Sequence, residues 1–143
     1  MDYLIRKLRK EELILKTASR HYFSIENPRG NNVLVKLSIS TGEHFGLRKR
    51  DVGVPELMHT LIWNVEIEPE CFFMTTAEAL EVLGPGPLKT NSWCKSNSYN
   101  WSSASGLPKL RRSMIVERFS NRWKWLSQYI EKRSIHGIHQ SKP

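Results

Sequence analysis

A dense turn signal between two strand-like segments constrains the fold of this chain more than any other feature. Residues 27–32 read Asn-Pro-Arg-Gly-Asn-Asn, and Pro, Gly and Asn supply the backbone angles that tight turns require. The segment 33–39 that follows, VLVKLSI, is rich in β-branched and apolar residues, and residues 21–26 ahead of the turn are also strand-like. Two such segments joined by a short turn predict a β-hairpin.

Further strands are predicted downstream of the hairpin. Residues 43–47 form a short strand, and residues 48–56, where a basic triplet precedes Asp, Gly and Pro, form a loop. Residues 57–65 are a nearly continuous apolar run, which is typical of a buried central strand. Residues 71–74 form another short strand.

Helical spacing of apolar residues predicts a helix at each end of the chain. The first helix covers residues 2–17 and the last covers residues 109–133. A short helix over residues 77–83 follows a capping box, in which Thr75 is the cap and Glu78 lies three residues later.

These elements predict a single globular domain over residues 1–133, with a flexible tail over residues 134–143. The chain of 143 residues has the length of one domain, since domains commonly contain about 100–200 residues. We assign it to the α/β class in its α+β form, with a mixed four- to five-stranded sheet flanked by an N-terminal and a C-terminal helix. Residues 84–106, dominated by Gly, Pro, Ser and Asn, are predicted to be irregular.

Composition argues against several classes of protein. Hydrophobic residues make up 39% and charged residues 25% of the chain, which is typical of a globular protein and not of a disordered or fibrous one. No apolar run approaches the roughly 18 residues of a membrane helix, and the N-terminus lacks the apolar core of a signal peptide. Cys71 and Cys94 make no disulfide framework, so we expect both to be reduced in a cytoplasmic protein, with a single bridge between them as the alternative.

The charge balance predicts a polyanionic partner. A total of 22 Lys and Arg against 14 Asp and Glu gives a formal net charge of +8 and a pI near 9.7. Residues 107–143 carry nine basic and two acidic side chains, whereas residues 61–106 carry two and five. A domain with one strongly basic end attracts nucleic acid, and a merely solvated basic surface is the plain alternative.

The basic side chains concentrate in the triplet 48–50 and around the last helix. Arg111, Arg118 and Arg122 recur at spacings of seven and four, which predicts one helical face. Arginine suits forked contacts with phosphate oxygens, and aromatic residues of the irregular segment either stack on unpaired bases or pack that segment onto the core. The candidate nucleic-acid-binding residues are Arg48, Lys49, Arg50, Lys109, Arg111, Arg112, Arg118, Arg122, Lys124, Trp93 and Trp101.

The hairpin ending in VLVKLS, the strand after it and the segment ELMHTLIWNVEIEPECFFMTTAEALEVLG resemble small proteins of the PD-(D/E)XK nuclease fold. The resemblance covers residues 20–85 and, more loosely, the helix at each end. It implies a nuclease-like fold and hydrolysis of a phosphodiester, with two carboxylates that hold magnesium and a lysine that positions the water and stabilises the phosphate. Lys36 stands where that lysine would be.

The acids of the family pattern are missing from their positions. Leu34, which cannot bind a metal, stands two residues before Lys36, and the upstream position holds an aromatic residue. Two interpretations follow: Glu26 or Glu43 replaces the missing ligand, or the fold serves binding after loss of its metal site, and we favour the second. For Lys36 itself, the plain alternative is an exposed lysine on an edge strand.

We therefore predict a nucleic-acid-binding protein on a nuclease-like fold with a degenerate metal site. DNA is expected in preference to RNA, and neither a cofactor nor a membrane contact is expected. The first alternative is a protein-interaction module, such as an inhibitor or an accessory subunit of a nucleoprotein complex. The second is an active magnesium-dependent endonuclease in which Lys36, Glu26 and Glu43 are catalytic. The sequence leaves the oligomeric state open.

Overall fold

The computed structural model describes residues 2–85, 95, 97–102 and 108–140, with the backbone alone described for 101, 102 and 134–140. The helices are α1 (Asp2–Lys10), α2 (Lys49–Val52), α3 (Thr76–Leu83), α4 (Lys109–Phe119) and α5 (Trp123–Gln140). The strands are β1 (Ile14–Thr17), β2 (Phe23–Glu26), β3 (Asn32–Ile39), β4 (His44–Arg48), β5 (Met58–Trp63), β6 (Glu70–Thr75) and β7 (Ser98–Ser102).

A five-stranded mixed sheet has the order β1-β2-β3-β5-β6, and β4 pairs with β7 in a separate two-stranded sheet. The predicted mixed sheet of four to five strands, accompanied by helices, is therefore confirmed. The chain divides into two compact units, one made of residues 1–35 and 122–143 and the other of residues 36–121. β3 continues from the first unit into the second. The single domain over residues 1–133 stays a prediction.

In the first unit, α1 ends earlier than predicted and the next residues form a strand. Glu12 adopts a left-handed backbone conformation with φ of 59°, and the Leu13 N–H donates to the Leu8 carbonyl at 2.9 Å, which closes the helix. Residues 14–17 then pair antiparallel with β2. The prediction of helix through residue 17 was wrong because pairing with a distant strand outweighs weak helical spacing.

β2 and β3 form the predicted antiparallel hairpin. In the turn between them, Asn27 Oδ1 accepts hydrogen bonds from the backbone N–H groups of Arg29 and Asn31, both at 3.0 Å. Gly30 has φ of 88°, an angle that residues with a side chain rarely adopt. The Asn and Gly residues that predicted a turn are therefore the residues whose hydrogen bonds and backbone angles close the hairpin.

α5 belongs to the same unit as the hairpin and buries Leu126 and Ile130 completely. Arg133 Nε donates to the Asn32 carbonyl at 3.1 Å, which ties the helix to the start of β3. The helix continues to Gln140, beyond the residue 133 at which we predicted its end. No helix in the described part of the chain is both long and apolar enough to cross a bilayer.

In the second unit, β5 and β6 form an antiparallel pair that leads into α3. All six residues of β5 are buried, as expected of a central strand. The predicted capping box is present at α3: Thr75 Oγ1 accepts from the Glu78 N–H at 3.2 Å, and the Thr75 N–H donates to Glu78 Oε1 at 3.0 Å. Two backbone donors at the helix start are thereby satisfied.

The core of the second unit combines side chains from β4, β5, β6, α3 and α4. The rings of Trp63 and Phe72 lie 4.5 Å apart between centroids, and Trp63 Nε1 donates to the His44 carbonyl at 2.8 Å. Ile115 and Phe119 of α4 are buried in the same cluster. The apolar side chains of β4 pack into this core. The other face of β4 therefore points away from the core and can make other contacts.

The predicted helix over residues 109–133 is two helices. Ser120 bridges to Phe72, the Asn121 N–H donates to the Cys71 carbonyl at 3.4 Å, and Asn121 has φ of 54°. The single-helix prediction was wrong because a short pairing with β6 replaces helical hydrogen bonds here. Cys71 is a free, buried thiol, and burial raises its pKa. Cys94 lies outside the described residues.

Two segments predicted to lack regular structure contain some. Residues 49–52 form α2 within the predicted loop over 48–56, and residues 98–102 form β7 within the predicted irregular segment over 84–106. The sequence of β7, SYNWS, mixes Tyr and Trp, which are common in strands, with Ser and Asn. It becomes a strand because it pairs with β4, and partners decide strand formation more than propensity does.

Candidate functional site

Alternation along β4 separates a core face from a polar face. Successive side chains of a strand point to opposite sides of the sheet. Phe45 and Leu47 are buried in the core cluster. His44, Gly46 and Arg48 therefore lie on the opposite face, where β4 meets polar residues of β7.

Asn100 of β7 lies directly across from Gly46. A Cβ atom on Gly46 would come within 2.2 Å of Asn100 Oδ1 and 2.9 Å of His44 Cε1. Glycine therefore makes room for the Asn100 side chain, which hydrogen-bonds to His44. Burial lowers the pKa of His44, and the hydrogen bond with Asn100 opposes that shift.

The basic triplet lies where β4 runs into α2, next to the start of β7. The Lys49 N–H donates to the Asn97 carbonyl at 2.9 Å, which ties α2 to that end of β7. The exposed side chains of the triplet line a cavity of about 640 Å³, here called the outer cavity. The described residues that line it are Arg48, Lys49, Arg50, Asn97, Ser98 and Asn100.

A second cavity of about 330 Å³, here called the inner cavity, shares Arg48 and Asn100 with the outer one. Its polar side chains come from β3, β4, α2, β5 and β7. Among the described residues they are Lys36, Ser38, His44, Arg48, Asp51, His59, Thr60 and Asn100. The outer cavity combines cations with neutral donors and acceptors, whereas the inner cavity adds a carboxylate and two imidazoles.

His59 is the most deeply buried of the two imidazoles, with 5% of its surface exposed. Its Nε2 lies 2.8 Å from Thr76 Oγ1, which links β5 to the first residue of α3. Burial lowers the pKa of His59 to about 4, with Asp51 opposing the shift and Lys36 adding to it. His59 is therefore neutral at pH 7 and serves the cavity as a hydrogen-bonding group, not as a cation.

Asp51 is the carboxylate of the inner cavity and is only 2% exposed. Its Oδ1 lies 4.0 Å from Arg50 Nε. Asp51 was not predicted from the sequence as a site residue, because an acid after a basic triplet in a predicted loop suggests a solvated surface. His59 was missed as a cavity residue because it lies inside an apolar run, where a histidine usually belongs to the core.

Lys36, the predicted catalytic lysine, is half-buried and lines the inner cavity. β3 lies between β2 and β5 in the sheet, so the alternative of an exposed lysine on an edge strand was wrong. Glu43 accepts two hydrogen bonds from Arg112, both at 2.8 Å. Glu26 lies in the other unit, where its carboxylate is 3.1 Å from Lys16 Nζ.

Among the described residues, no group of three or more His, Cys, Asp or Glu side chains is arranged to hold a metal ion. Lys36 and Asp51 line the same cavity, and neither Glu26 nor Glu43 is among its described lining residues. Magnesium-dependent cleavage stays a prediction.

Two of the predicted binding residues of α4 pair with carboxylates of the protein itself. Arg112 pairs with Glu43, and Arg118 pairs with Glu81. The Arg111 guanidinium packs over Gly84, where a Cβ atom would meet Nη2 at 2.6 Å. Lys109 is exposed at the start of the helix.

Arg122 and Lys124 belong to the first unit, on the far side of the helix break. Arg122 stacks over Trp125, with its guanidinium carbon 3.6 Å from the ring centroid. The predicted single face of Arg111, Arg118 and Arg122 was wrong, because that face requires one unbroken helix.

The side chains of the two tryptophans predicted to bind nucleic acid lie outside the described part of the structure. Trp93 is outside the described residues, and only the backbone of Trp101 is described, opposite Phe45 in the β4–β7 pair. Tyr99 packs against the core cluster, which fits the alternative that aromatic residues fix this segment to the core.

Comparison with known proteins identifies no relative, so a function can be inferred only from the geometry of the site. The chain matches no protein-family model, no curated protein and no solved structure at a significant level of similarity.

Proposed function

We propose that this protein binds nucleic acid, DNA in preference to RNA, through the outer cavity. The observation that carries the proposal is the convergence of Arg48, Lys49 and Arg50 with amide and hydroxyl groups of β7 on one cavity. A nucleic-acid backbone presents regularly spaced anionic phosphates, which cations attract, and neutral polar groups fix its orientation. The net charge of +8 favours the approach of a polyanion to the protein.

We also propose that the fold is nuclease-like and that its metal site is degenerate. The β2–β3 hairpin and the placement of Lys36 on β3 support the first part. The second part rests on Leu34, which occupies the position of a ligand acid in the family pattern. The protein is then expected to bind DNA without cutting it, with or without magnesium.

The proposal is tested by measuring the affinity for labelled single- and double-stranded DNA at several salt concentrations, with and without Mg²⁺. In the variant Arg48→Ala/Lys49→Ala/Arg50→Ala, affinity for every sequence falls about ten- to hundredfold, and the slope of log K against log salt becomes shallower by roughly 3. RNA of the same sequence is measured in parallel and is expected to bind more weakly.

A matched control removes the same amount of charge elsewhere. Arg6→Ala/Arg9→Ala/Lys10→Ala takes three exposed cations from α1, none of which lines the outer cavity. It is expected to retain most of the affinity and of the salt slope. Equal losses in the two variants would show that only net charge matters, and an absence of DNA and RNA binding would shift the assignment to a protein-interaction module.

A further inference from the structure

The inner cavity contains a carboxylate that the described lining of the outer cavity lacks, and it therefore favours a different chemical group. Asp51 lies in its wall and is 2% exposed. Lys36 and Arg48 line this cavity as well, but a phosphate bound here would also meet the repulsion of the Asp51 carboxylate, where solvent screens charges poorly. A neutral, polar ring avoids that repulsion and can hydrogen-bond to a carboxylate, an amide and an imidazole.

The two cavities are placed to share one ligand. Arg48 and Asn100 line both of them, so a ligand can have its phosphate in one and its ring in the other. The inner volume of about 330 Å³ lies at the small end of the range of about 300–1,000 Å³ for ligand cavities. That size suits one nucleotide and not a stretch of strand.

The wall of the inner cavity is held in place before any ligand arrives. The Asn100 side chain packs over Gly46 and hydrogen-bonds to His44, and His59 is fixed by Thr76. Groups that are already oriented lose little freedom on binding, which favours selective hydrogen bonding.

We propose that the inner cavity binds the base of one unpaired nucleotide while the outer cavity holds the phosphates beside it. Asp51, Asn100 and His44 contact the polar edge of the base. The inference rests on the proposed nucleic-acid binding and adds to it a preference for strands that offer an unstacked base, since a base in a duplex cannot enter such a cavity without leaving the stack.

The test uses three DNA duplexes of the same sequence with the full-length protein. One is fully paired, one carries a single extra unpaired 2-aminopurine, and one carries an abasic site in place of that extra base. The protein is expected to bind the second duplex at least tenfold more tightly than the other two. The 2-aminopurine fluorescence, which stacking quenches, rises on binding.

Variants of each cavity separate the two proposals. Gly46→Ala forces Asn100 and His44 to shift and is expected to bring the affinity ratio between the 2-aminopurine and abasic duplexes close to one. His44→Leu, which removes a polar group of similar size, lowers the same ratio and serves if Gly46→Ala does not fold. Lys49→Ala, which changes a residue that lines the outer cavity and not the inner one, weakens all three duplexes and keeps the ratio.

Equal affinity of the wild-type protein for the 2-aminopurine and abasic duplexes would overturn the inference and leave the proposed function standing. The same holds if both inner-cavity variants fold and retain the wild-type ratio. Absence of binding to all three duplexes would overturn both proposals.

Discussion

The triplet at the start of α2 and the arginines of α4 are equally basic in sequence but differ in what surrounds them. Arg112 and Arg118 of α4 each point at a carboxylate, from Glu43 and Glu81. The triplet instead lines a cavity together with Asn97, Ser98 and Asn100, and Arg50 also lies 4.0 Å from the buried carboxylate of Asp51. A cation already paired with a carboxylate has less to offer a phosphate, so a binding surface is defined by the neighbours of its cations more than by their number.

The largest effect that we expect is a loss of folding stability at acidic pH, caused by His59 of the inner cavity and not by the ion pairs of α4. The pKa of His59 is lowered to about 4 in the folded protein, so the unfolded chain binds a proton first as pH falls. The stability this gives is present in full above pH 6.5 and is lost between pH 6.5 and 4, by about 3 kcal/mol. Chemical denaturation across this range measures it.

His59→Gln is the control for that prediction. It removes the titrating group and is expected to flatten most of the pH dependence, with a shallower slope left from His44, whose pKa is also lowered. On α4, a hydrogen bond from Arg118 holds the pKa of Glu81 below its usual range, so that pair weakens only at more acidic pH. An unchanged slope in His59→Gln would contradict the assignment.

The next largest difference between the triplet and the arginines of α4 is expected in DNA affinity. Arg48→Ala/Lys49→Ala/Arg50→Ala is expected to cost about ten- to hundredfold in affinity. Arg112→Ala/Arg118→Ala also removes cations from an exposed surface, yet we expect a loss of about threefold or less, since both side chains contact carboxylates of the protein itself. Comparable losses of DNA affinity, measured at one salt concentration, would show that pairing with a carboxylate does not make these arginines less important for binding.

The pair on α4 has a smaller, structural role. A double-mutant cycle on Arg112 and Glu43 is expected to give a coupling energy of about 0.5–1 kcal/mol in unfolding experiments, because the contact has two good hydrogen bonds but is partly exposed. A coupling energy near zero would show that the pair only neutralises charge and contributes nothing to stability.

The last expected effect has the opposite sign. Thr60, fully buried beside the inner cavity, has a hydroxyl without a hydrogen-bond partner among the described residues. Thr60→Val keeps the shape and removes that unsatisfied group, so we expect stability to rise by about 1 kcal/mol. A fall in the melting temperature would instead show that the hydroxyl has a partner.

Local chemistry explains which predictions succeeded. The hairpin depends on Asn27 and Gly30 within its own turn, and the start of α3 depends on Thr75 and Glu78, three residues apart. The apolar run that forms β5 is buried as a central strand whatever its neighbours are. Each of these features carries its cause within a few residues of the chain.

The predictions that failed depended on distant partners. Residues 14–17 became a strand because β2 pairs with them, and the last helix broke at Asn121 because Cys71 accepts its N–H. The inner cavity escaped detection because Lys36, Asp51 and His59 lie on different elements. No spacing rule connects such residues.

The sequence by itself determined the mixed α and β composition of the chain, the hairpin, the buried strand and the strong positive charge, because turn chemistry, apolar periodicity and ionisation are local properties. Which cations pair with carboxylates and which line a cavity depends instead on the fold. Glu43 and Arg112 are 69 positions apart, and Gly46 meets Asn100 only through strand pairing. Which cations meet acids is therefore a matter of geometry, and charge counts cannot supply it.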